Sequence, residues 1–329
     1  MRNMEHIEYD YMVKNELKEL AGKRFDRIRK INDGKYRLKI QDKEIIIELG
    51  IRLNITKYIE ESETDNLCQK INKELENKRL VEVSLYRLDR IVVFTFEGDL
   101  QLVIECFSKG NLLLVENSKI VTAYEEREWS TRKVKRGETY EPPESRNSNT
   151  LQLNEKYVII SMLNMPLGKK YCKYILAKLV IDEKKPGTAL AKDEVKRIEN
   201  GIAELQNNLK PYLFSREGHA IDYGLVIFDK QCEATEMKTL GECIDEYYWQ
   251  NKGTKNKKLG ELEKRLENQK AKLVEMDKEI EECKKKGDCI YENFEKIEKT
   301  MGELKKKKIE EIAKTMRIDK KTKKVEIEV

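Results

Sequence analysis

Apolar residues recur at every second position in residues 91–121, and this spacing predicts an antiparallel β-meander. Val92, Phe94 and Phe96 fall on one side of the first strand. Glycine-containing turns at 97–99 and 108–111 separate that strand from two further apolar runs. Period-two alternation bounded by glycine turns is typical of antiparallel strands with tight connections. The charged residues at 87–90 are therefore predicted to lie at the mouth of the first strand, where a sheet can hold side chains rigidly beside solvent.

The same periodicity predicts further elements on both sides of the meander. Helical spacing is present at 8–20, 64–77 and 240–250, and several short helices are expected within 152–208. Strand-like runs are present at 25–31, 35–41, 44–50, 210–214 and 223–228. A basic, proline-containing connector at 125–150 separates the meander from the short helices, and Pro142 and Pro143 require extended backbone before them.

The pattern changes after Gly253, where hydrophobic positions from 259 to 308 alternate three and four residues apart. This spacing predicts one helix, roughly 75 Å long at 1.5 Å per residue, with a coiled-coil seam. The helix cannot cover its own seam. We expect the chain to be the N-terminal portion of a longer protein in which a returning helix covers it. The alternative is a short version of the protein that self-associates through this arm. The last residues predict a linker and one strand.

Composition supports an extended, solvated element, because 39% of the 329 residues are charged and only 7% are aromatic. The net charge is +5, and residues 251–329 carry 24 basic and 18 acidic residues. Residues 1–250 are therefore close to neutral. A nucleic-acid partner would have to meet local basic patches and a basic arm, since the body has no uniform positive charge.

The sequence lacks the characteristic residues or motifs of several classes of function. The seven cysteines show no C-x-x-C spacing, which predicts free thiols in a reducing compartment. Neither of the two histidines has a metal ligand at helical or hairpin spacing, so no zinc site is expected. No phosphate-cradling glycine motif and no nucleophile with its base stands out, so we expect no catalysis and no cofactor. No apolar run is long enough to span a bilayer and no signal-type N-terminus is present, which predicts a cytoplasmic protein without a membrane partner.

The segment LYRLDRIVVFTFEGD, residues 85–99, and the strands that follow it to residue 121 resemble the core of the NFACT family. This family comprises ribosome-quality-control factors that are also called fibronectin-binding-protein-A-like. Five further segments resemble the family in the same order: 16–28, 45–57, 134–143, 163–176 and 286–298. The last segment is similar to the archaeal or eukaryotic branch.

The resemblance implies an α+β fold. It consists of an antiparallel-sheet N-terminal domain similar to those of formamidopyrimidine-type DNA glycosylases, a helix-hairpin-helix-like insert and a long C-terminal coiled-coil helix. The expected divisions are an N-terminal α/β domain (1–145), a helical domain (146–210), strands and a short helix that pack back on the first domain (211–252), the coiled-coil arm (253–316) and the start of a linker or tip strand (317–329).

The resemblance also implies sites for RNA. Asp89 and Arg90 would hold tRNA, since a guanidinium can stack on a base or bind phosphate while a carboxylate fixes it or accepts from a base edge. Arg52 matches a family arginine after a glycine, and Asp10 lies one residue from the family's spacing; both are candidate tRNA contacts. The alternatives are a strand-end salt bridge for the pair, a surface charge for Arg52 and a complement to the helix dipole for Asp10.

Further cations are candidate contacts to ribosomal RNA or phosphate. At the helix-hairpin-helix-like turn near Gly168, a helix N-terminus could offer amides to a phosphate, although packing is the alternative role. In the connector, simple solvation is the alternative. The candidates are Arg132, Lys133, Lys135 and Arg136 in the connector and Lys169 and Lys170 at the turn.

In the family, the expected activity is to bind a large ribosomal subunit that still carries peptidyl-tRNA, to hold an incoming tRNA and to reach the stalk base with the coiled coil. This supports mRNA-independent alanine tailing of the stalled chain while the ribosome does the chemistry. One alternative is a surface adhesin that binds fibronectin. The other is a catalytically inactive relative of the DNA glycosylases, since Met1 is followed by Arg2 where those enzymes use an N-terminal proline.

Overall fold

The first sheet follows an N-terminal helix and is a four-stranded antiparallel meander. The computed structural model describes residues 2–129, 132–145, 147–228, 231–306, 317–319 and 324–326. Helix α1 (His6–Asn15) and a 3₁₀ turn (Leu17–Leu20) precede the strands. The strands are β1 (Phe25–Asn32), β2 (Lys35–Ile40), β3 (Lys43–Glu48) and β4 (Arg52–Thr56), in that order in the sheet. Gly34, with φ +70°, allows the tight turn between β1 and β2.

Helix α2 (Asn66–Leu75) leads into the second sheet, and the Asp65 side chain caps it by accepting from Cys68 N at 2.8 Å. The five strands of this sheet are β5 (Leu80–Leu85), β6 (Ile91–Phe96), β7 (Leu100–Glu105), β8 (Asn111–Glu116) and β9 (Lys119–Ala123), paired in sequence order. The predicted antiparallel meander is confirmed, and β5 adds a strand before it.

Both faces of this sheet are buried, because the connector covers the face opposite the main core. Phe94 and Phe96 join the main core, whereas Ile91 and Val93 belong to a second cluster that Val134 completes. The connector contains a two-stranded hairpin of β10 (Arg127–Glu128) and β11 (Lys133–Val134). This packing fixes the connector beside the mouth of the meander.

The helical segment consists of α3 (Val158–Leu163), α4 (Lys169–Leu179) and α5 (Lys192–Asn207), with a 3₁₀ turn at Gly187–Ala189. Gly168 precedes α4 with φ +113°, a backbone conformation that favours glycine. Residues Ile198 and Ile202 of α5 pack into the same main core as the two sheets. The segment therefore shares a core with the sheets that precede it.

A three-stranded sheet and a helix complete this part of the chain. The strands are β12 (Tyr212–Arg216), β13 (His219–Gly224) and β14 (Glu233–Glu236), with β12 in the centre, and α6 spans Leu240–Gln250 as predicted. The predicted strand at 223–228 is wrong, because β13 ends at Gly224 and the chain turns inward. Leu225 is fully buried, and the ring of Phe228 lies against the Cα of Gly224.

Residues Met1–Gly253 form one compact unit and Thr254–Val329 a second. The second contains α7 (Lys252–Glu292), which begins at the end of the first unit, α8 (Phe294–Lys306) and two paired strands, β15 (Arg317–Asp319) and β16 (Lys324–Glu326). The predicted continuous helix is thus interrupted at Asn293, and two strands stand where one was expected.

Within the described part of the arm, apolar side chains at the predicted seam are exposed, including Leu266, Leu273, Ile280 and Met301. Coiled-coil pairing of this seam stays a prediction, as does the five-part domain division. No helix among the described residues combines the length and apolarity needed to cross a membrane.

Candidate nucleic-acid interface

The turn between β5 and β6 presents the Asp-Arg pair at the mouth of the second sheet. Tyr86 N donates to Ile91 O at 2.8 Å, and Asp89 N donates to Tyr86 O at 3.2 Å. Arg87 takes a left-handed conformation with φ +53°, which lets the chain reverse within five residues. Asp89 and Arg90 therefore lie directly before β6, as predicted, and hydrogen bonds of the turn fix their backbone.

The Asp89 carboxylate holds the connector in place and keeps one oxygen without a partner. Its Oδ1 accepts from Ser145 Oγ at 2.9 Å and from Asn147 Nδ2 at 3.0 Å. Asn147 Nδ2 also donates to Leu88 O at 2.7 Å. Within the described residues, Oδ2 is buried and has no hydrogen-bond partner. A buried acceptor without a donor is costly, so a ligand donor or water would be favoured there.

Arg90 is the available cation of the pair. Its backbone oxygen accepts from Cys106 N at 2.7 Å, which anchors the residue to the end of β7. Among the residues that the structure describes, its partly buried guanidinium forms no hydrogen bond or ion pair. The side chain lines a groove of about 410 Å³ together with Glu5, His6 and Lys169. We call this the Asp89–Arg90 groove.

His6 lies between this groove and a second one of about 530 Å³, because it lines both. Only 9% of the residue is exposed. The pKa of the His6 imidazole is lowered to about 4, chiefly by burial; Arg90 and Lys14 add to the shift, and Asp10 and Asp89 oppose it. The ring is therefore neutral at pH 7 and can act as a hydrogen-bonding group between the two grooves.

Asp10 belongs to the second groove, beside Arg87. Its carboxylate accepts from Lys14 Nζ at 2.8 Å, one helical turn away, and its side chain is partly exposed. Four predicted residues, Asp10, Asp89, Arg90 and Lys169, are thus brought together around His6. Only the rarity of histidine, with two in the chain, could have pointed to His6 before the fold was known.

The groove is mixed in charge, since Glu5, Asp89 and Glu144 face Arg90 and Lys169. Such a surface does not attract phosphate by charge alone. It is better suited to a few directed hydrogen bonds, for example to the edges of unpaired bases, supplemented by one arginine.

Arg52 lies inside the first unit, away from any open surface. Its Nε donates to Glu48 Oε2 at 3.1 Å, its guanidinium carbon lies 4.0 Å above the Tyr248 ring, and Asp245 lies 4.0 Å from its Nη1. These contacts join β4 to α6. The prediction that Arg52 contacts tRNA is corrected, because a buried cation with these partners has a structural role.

The connector cations also differ from one another. Arg132 is buried, and its Nη2 donates to both oxygens of Glu105 at 2.8 and 2.9 Å, so its predicted contact with ribosomal RNA is corrected. Lys133 is exposed and pairs with Glu128 at 2.8 Å. Lys135 and Arg136 are exposed and stay candidates.

The predicted phosphate site at the start of α4 is already occupied by a carboxylate of the protein. Lys169 N donates to Glu5 Oε2 at 3.1 Å, so this first amide of the helix is not free for phosphate. Lys170 is also engaged, since its Nζ pairs with Asp222 and lies 4.0 Å from the centroid of the Phe228 ring. Burial lowers the pKa of Lys170. The direct phosphate contact predicted for Lys170 is corrected, whereas the exposed Lys169 side chain stays available to the groove.

No metal site emerges from the described ranges, which contain no group of three or more His, Cys, Asp or Glu side chains able to hold an ion. None of the seven cysteines forms a disulfide in the described part of the chain, and four of them are buried: Cys68, Cys106, Cys172 and Cys243.

Comparison with known proteins identifies the family. The profile of the NFACT N-terminal and middle domains matches residues 11–328. The chain belongs to this family. The NFACT chain described here is 27% identical over 344 residues to the archaeal Rqc2 homolog aRqcH of Methanocaldococcus jannaschii, covering 89% of this chain and 50% of that protein. The chain thus spans about half the length of this archaeal relative.

A second relative is ribosome quality control complex subunit 2 of Schizosaccharomyces pombe, with 35% identity over 82 residues, 22% of this chain and 8% of that protein. Among solved structures, the fibrinogen-binding protein of Staphylococcus aureus gives a TM-score of 0.58 at 16% identity, covering 74% of this chain and 98% of the other. The N-terminal part of the fibronectin/fibrinogen-binding protein of Streptococcus suis gives 0.55 at 18% identity, covering 75% and 99%. These two structures show that the NFACT chain shares their α+β fold. Similarity to glycosylase domains stays a prediction.

Proposed function

We propose that this NFACT chain is an RNA-binding ribosome-quality-control factor that performs no bond-making itself. The family and the relatives named for Rqc2 support the role in ribosome quality control. The groove supports RNA as the ligand, because it combines an available arginine, an acceptor oxygen and a neutral imidazole on a rigid sheet edge. The protein would be cytoplasmic, where its ribosomal partner is found.

One observation carries this proposal: among the described residues the Arg90 guanidinium has no hydrogen-bond or ion-pair partner, and it lines the same groove as an Asp89 carboxylate that the connector holds in place. Here the aspartate accepts from Ser145 and Asn147, so the arginine donors stay available. We propose that they bind tRNA, with Asp10 and His6 contributing from the adjoining groove.

In the fuller proposal, the protein binds an obstructed large ribosomal subunit that carries peptidyl-tRNA and positions an incoming tRNA through the first unit. The arm, α7 and α8, would extend toward the stalk base, and exposed Lys135 and Arg136 would contact ribosomal RNA. This action would support mRNA-independent alanine tailing of the stalled chain. The NFACT chain spans about half of the archaeal relative, and tailing activity of this chain is part of the proposal.

The two alternatives gain nothing from the site. The adhesin hypothesis depends on a similarity in fold to proteins that are 16% and 18% identical. A similar fold at this identity does not show that two proteins bind the same partner. The hypothesis of a catalytically inactive glycosylase relative depends on a resemblance in fold alone, which does not identify a nucleic-acid partner.

The test of tRNA binding compares Arg90→Gln and Asp89→Asn with the wild-type chain in filter-binding titrations at fixed salt. Lys238→Gln is the matched control, since Lys238 is an exposed cation outside the groove. A guanidinium that makes a bidentate contact is worth about 1–3 kcal/mol, so Arg90→Gln should weaken binding roughly 5- to 150-fold. The control should weaken it by no more than about twofold. Equal affinity of the Arg90→Gln and wild-type chains would refute the site, and failure of the wild-type chain to bind tRNA would refute the function.

A further inference from the structure

The Asp89–Arg90 groove adjoins a second, smaller cavity. Phe107 and Pro143 line the groove and also a cavity of about 230 Å³ formed by the β7–β8 turn and the β10–β11 hairpin. Because the two spaces share these residues, they lie side by side, and one nucleic-acid strand could contact both. We call this cavity the Trp129 pocket.

Aromatic and basic side chains together line the Trp129 pocket. Trp129 is 41% exposed, and Phe107 lies partly buried beside it. One face of the indole is covered, since the guanidinium carbon of Arg132 lies 4.8 Å from the centroid of the ring. The exposed part of Trp129 is therefore a rigid surface on which a flat ring can stack.

The charge of the pocket is complementary to an anion. Its lining contains Lys109, Arg127 and Arg132 but a single acid, Glu105, whose carboxylate is already engaged by Arg132. Arg127 pairs with Glu125 outside the lining. Within the described parts of the chain, Lys109 is exposed and has no hydrogen bond or ion pair. A free lysine thus stands at the rim of an aromatic pocket.

We propose that the Trp129 pocket is a subsite for one unpaired RNA nucleotide, whose base stacks on Trp129 and whose phosphate is held by Lys109. The proposal deepens the proposed function and rests on it. Stacking platforms flanked by cations are how proteins bind single-stranded nucleic acid without reading its sequence. The volume is below the 300–1,000 Å³ usual for small-molecule sites, which favours a single base of a longer strand. The position of the pocket beside the Asp89–Arg90 groove favours RNA over an acidic peptide.

The chain has two tryptophans, so fluorescence can isolate the pocket. Trp249→Phe leaves Trp129 as the reporter, and Trp129→Phe leaves Trp249, which stacks on Tyr58 with ring centroids 4.2 Å apart. Titration with tRNA should quench the Trp129 reporter and leave the Trp249 reporter unchanged. A blunt-ended RNA duplex, which lacks unpaired bases, should not quench Trp129.

Affinity provides the second measurement. Base–aromatic stacking is worth about 1–3 kcal/mol per base, so Trp129→Ala should weaken tRNA binding roughly 5- to 150-fold, while Trp129→Phe should retain most of it. Lys109→Gln should reduce the slope of log K against log salt by about 0.7, the value for one phosphate on a single strand. Circular dichroism of each variant confirms that the loss does not come from unfolding.

The outcomes separate the two proposals. If tRNA binds in an Arg90-dependent manner but Trp129 is not quenched and Trp129→Ala keeps full affinity, the subsite is wrong and the proposed function stands. If poly-glutamate quenches Trp129 and tRNA does not, the pocket binds a protein and the subsite is also wrong. If the chain binds no tRNA in any assay, both proposals fail.

Discussion

Removal of the Arg132 side chain tests whether this residue is part of the protein's interior or of its RNA-binding surface. The side chains of Arg132 and Glu105 are only 7% and 4% exposed, and Arg132 Nη1 also donates to Glu141 O at 3.2 Å. In Arg132→Ala the carboxylate of Glu105 keeps one neutral donor, the Tyr140 hydroxyl at 3.2 Å. Loss of one partner of a buried ion pair costs about 3–5 kcal/mol, because the other charge stays buried without compensation.

Thermal unfolding followed by circular dichroism measures this cost. For a unit of this size each kcal/mol lowers Tm by about 2–4 °C, so Arg132→Ala should lower it by roughly 6–20 °C. Lys133→Ala is the matched control: its ion pair with Glu128 is exposed, and the change in unfolding free energy should be within about 0.5 kcal/mol. The double variant Glu105→Leu/Arg132→Met should recover most of the loss, since it removes both charges. Wild-type Tm in Arg132→Ala together with weaker RNA binding would refute the structural role.

Two further predictions concern the edge of the groove. Because the pKa of His6 is about 4 in the folded chain and near 6.5 unfolded, only the unfolded state gains this proton between pH 6.5 and 4. As the pH is lowered across that window, the free energy of unfolding should therefore fall by roughly 3 kcal/mol more in wild type than in His6→Gln. Urea titrations at each pH would measure this difference, and identical pH profiles for wild type and His6→Gln would contradict the reasoning. Gly168→Ala should destabilise the chain by about 1–3 kcal/mol for two reasons. The backbone at this position has φ +113°, which is strained for alanine, and the added Cβ would clash with the Glu5 carboxylate and lie 2.7 Å from the Glu5 Cβ. Gly137→Ala, with φ +86° and nothing within 4 Å, measures the backbone cost alone, and a loss in Gly168→Ala no larger than in this control would exclude the clash.

Local periodicity predicted the elements whose own residues decide their conformation. The meander at 91–121 and helix 240–250 were correct, because alternation or helical spacing was complete and the turns or caps were present. The predicted strand at 223–228 was wrong because the chain leaves the sheet after Gly224 and buries Leu225 in the core. β14 (Glu233–Glu236) was missed because its residues show no alternation, and only backbone pairing with β12 forms it.

The residues of the candidate site show the same difference between local and long-range causes. Asp89 and Arg90 were recognisable because the meander and the turn before it are local. Arg52, Arg132 and Lys170 looked like surface cations, but each is paired with an acid from another element, as with Asp222 for Lys170. Sequence position could not reveal these partners.

The sequence alone determined the order of helices and strands, the position of the Asp-Arg pair at a strand mouth and the family resemblance, because hydrogen bonding and hydrophobic alternation depend on residues close in the chain. The tertiary structure alone decided which charges remain available to a partner. It buries Arg132 against Glu105, places Glu5 on the first amide of α4 and leaves Arg90, near His6, without an ion-pair partner among the described residues. The physical reason is that the cost of burying a charge depends on its partners in space, and these come from distant segments that only the folded chain brings together.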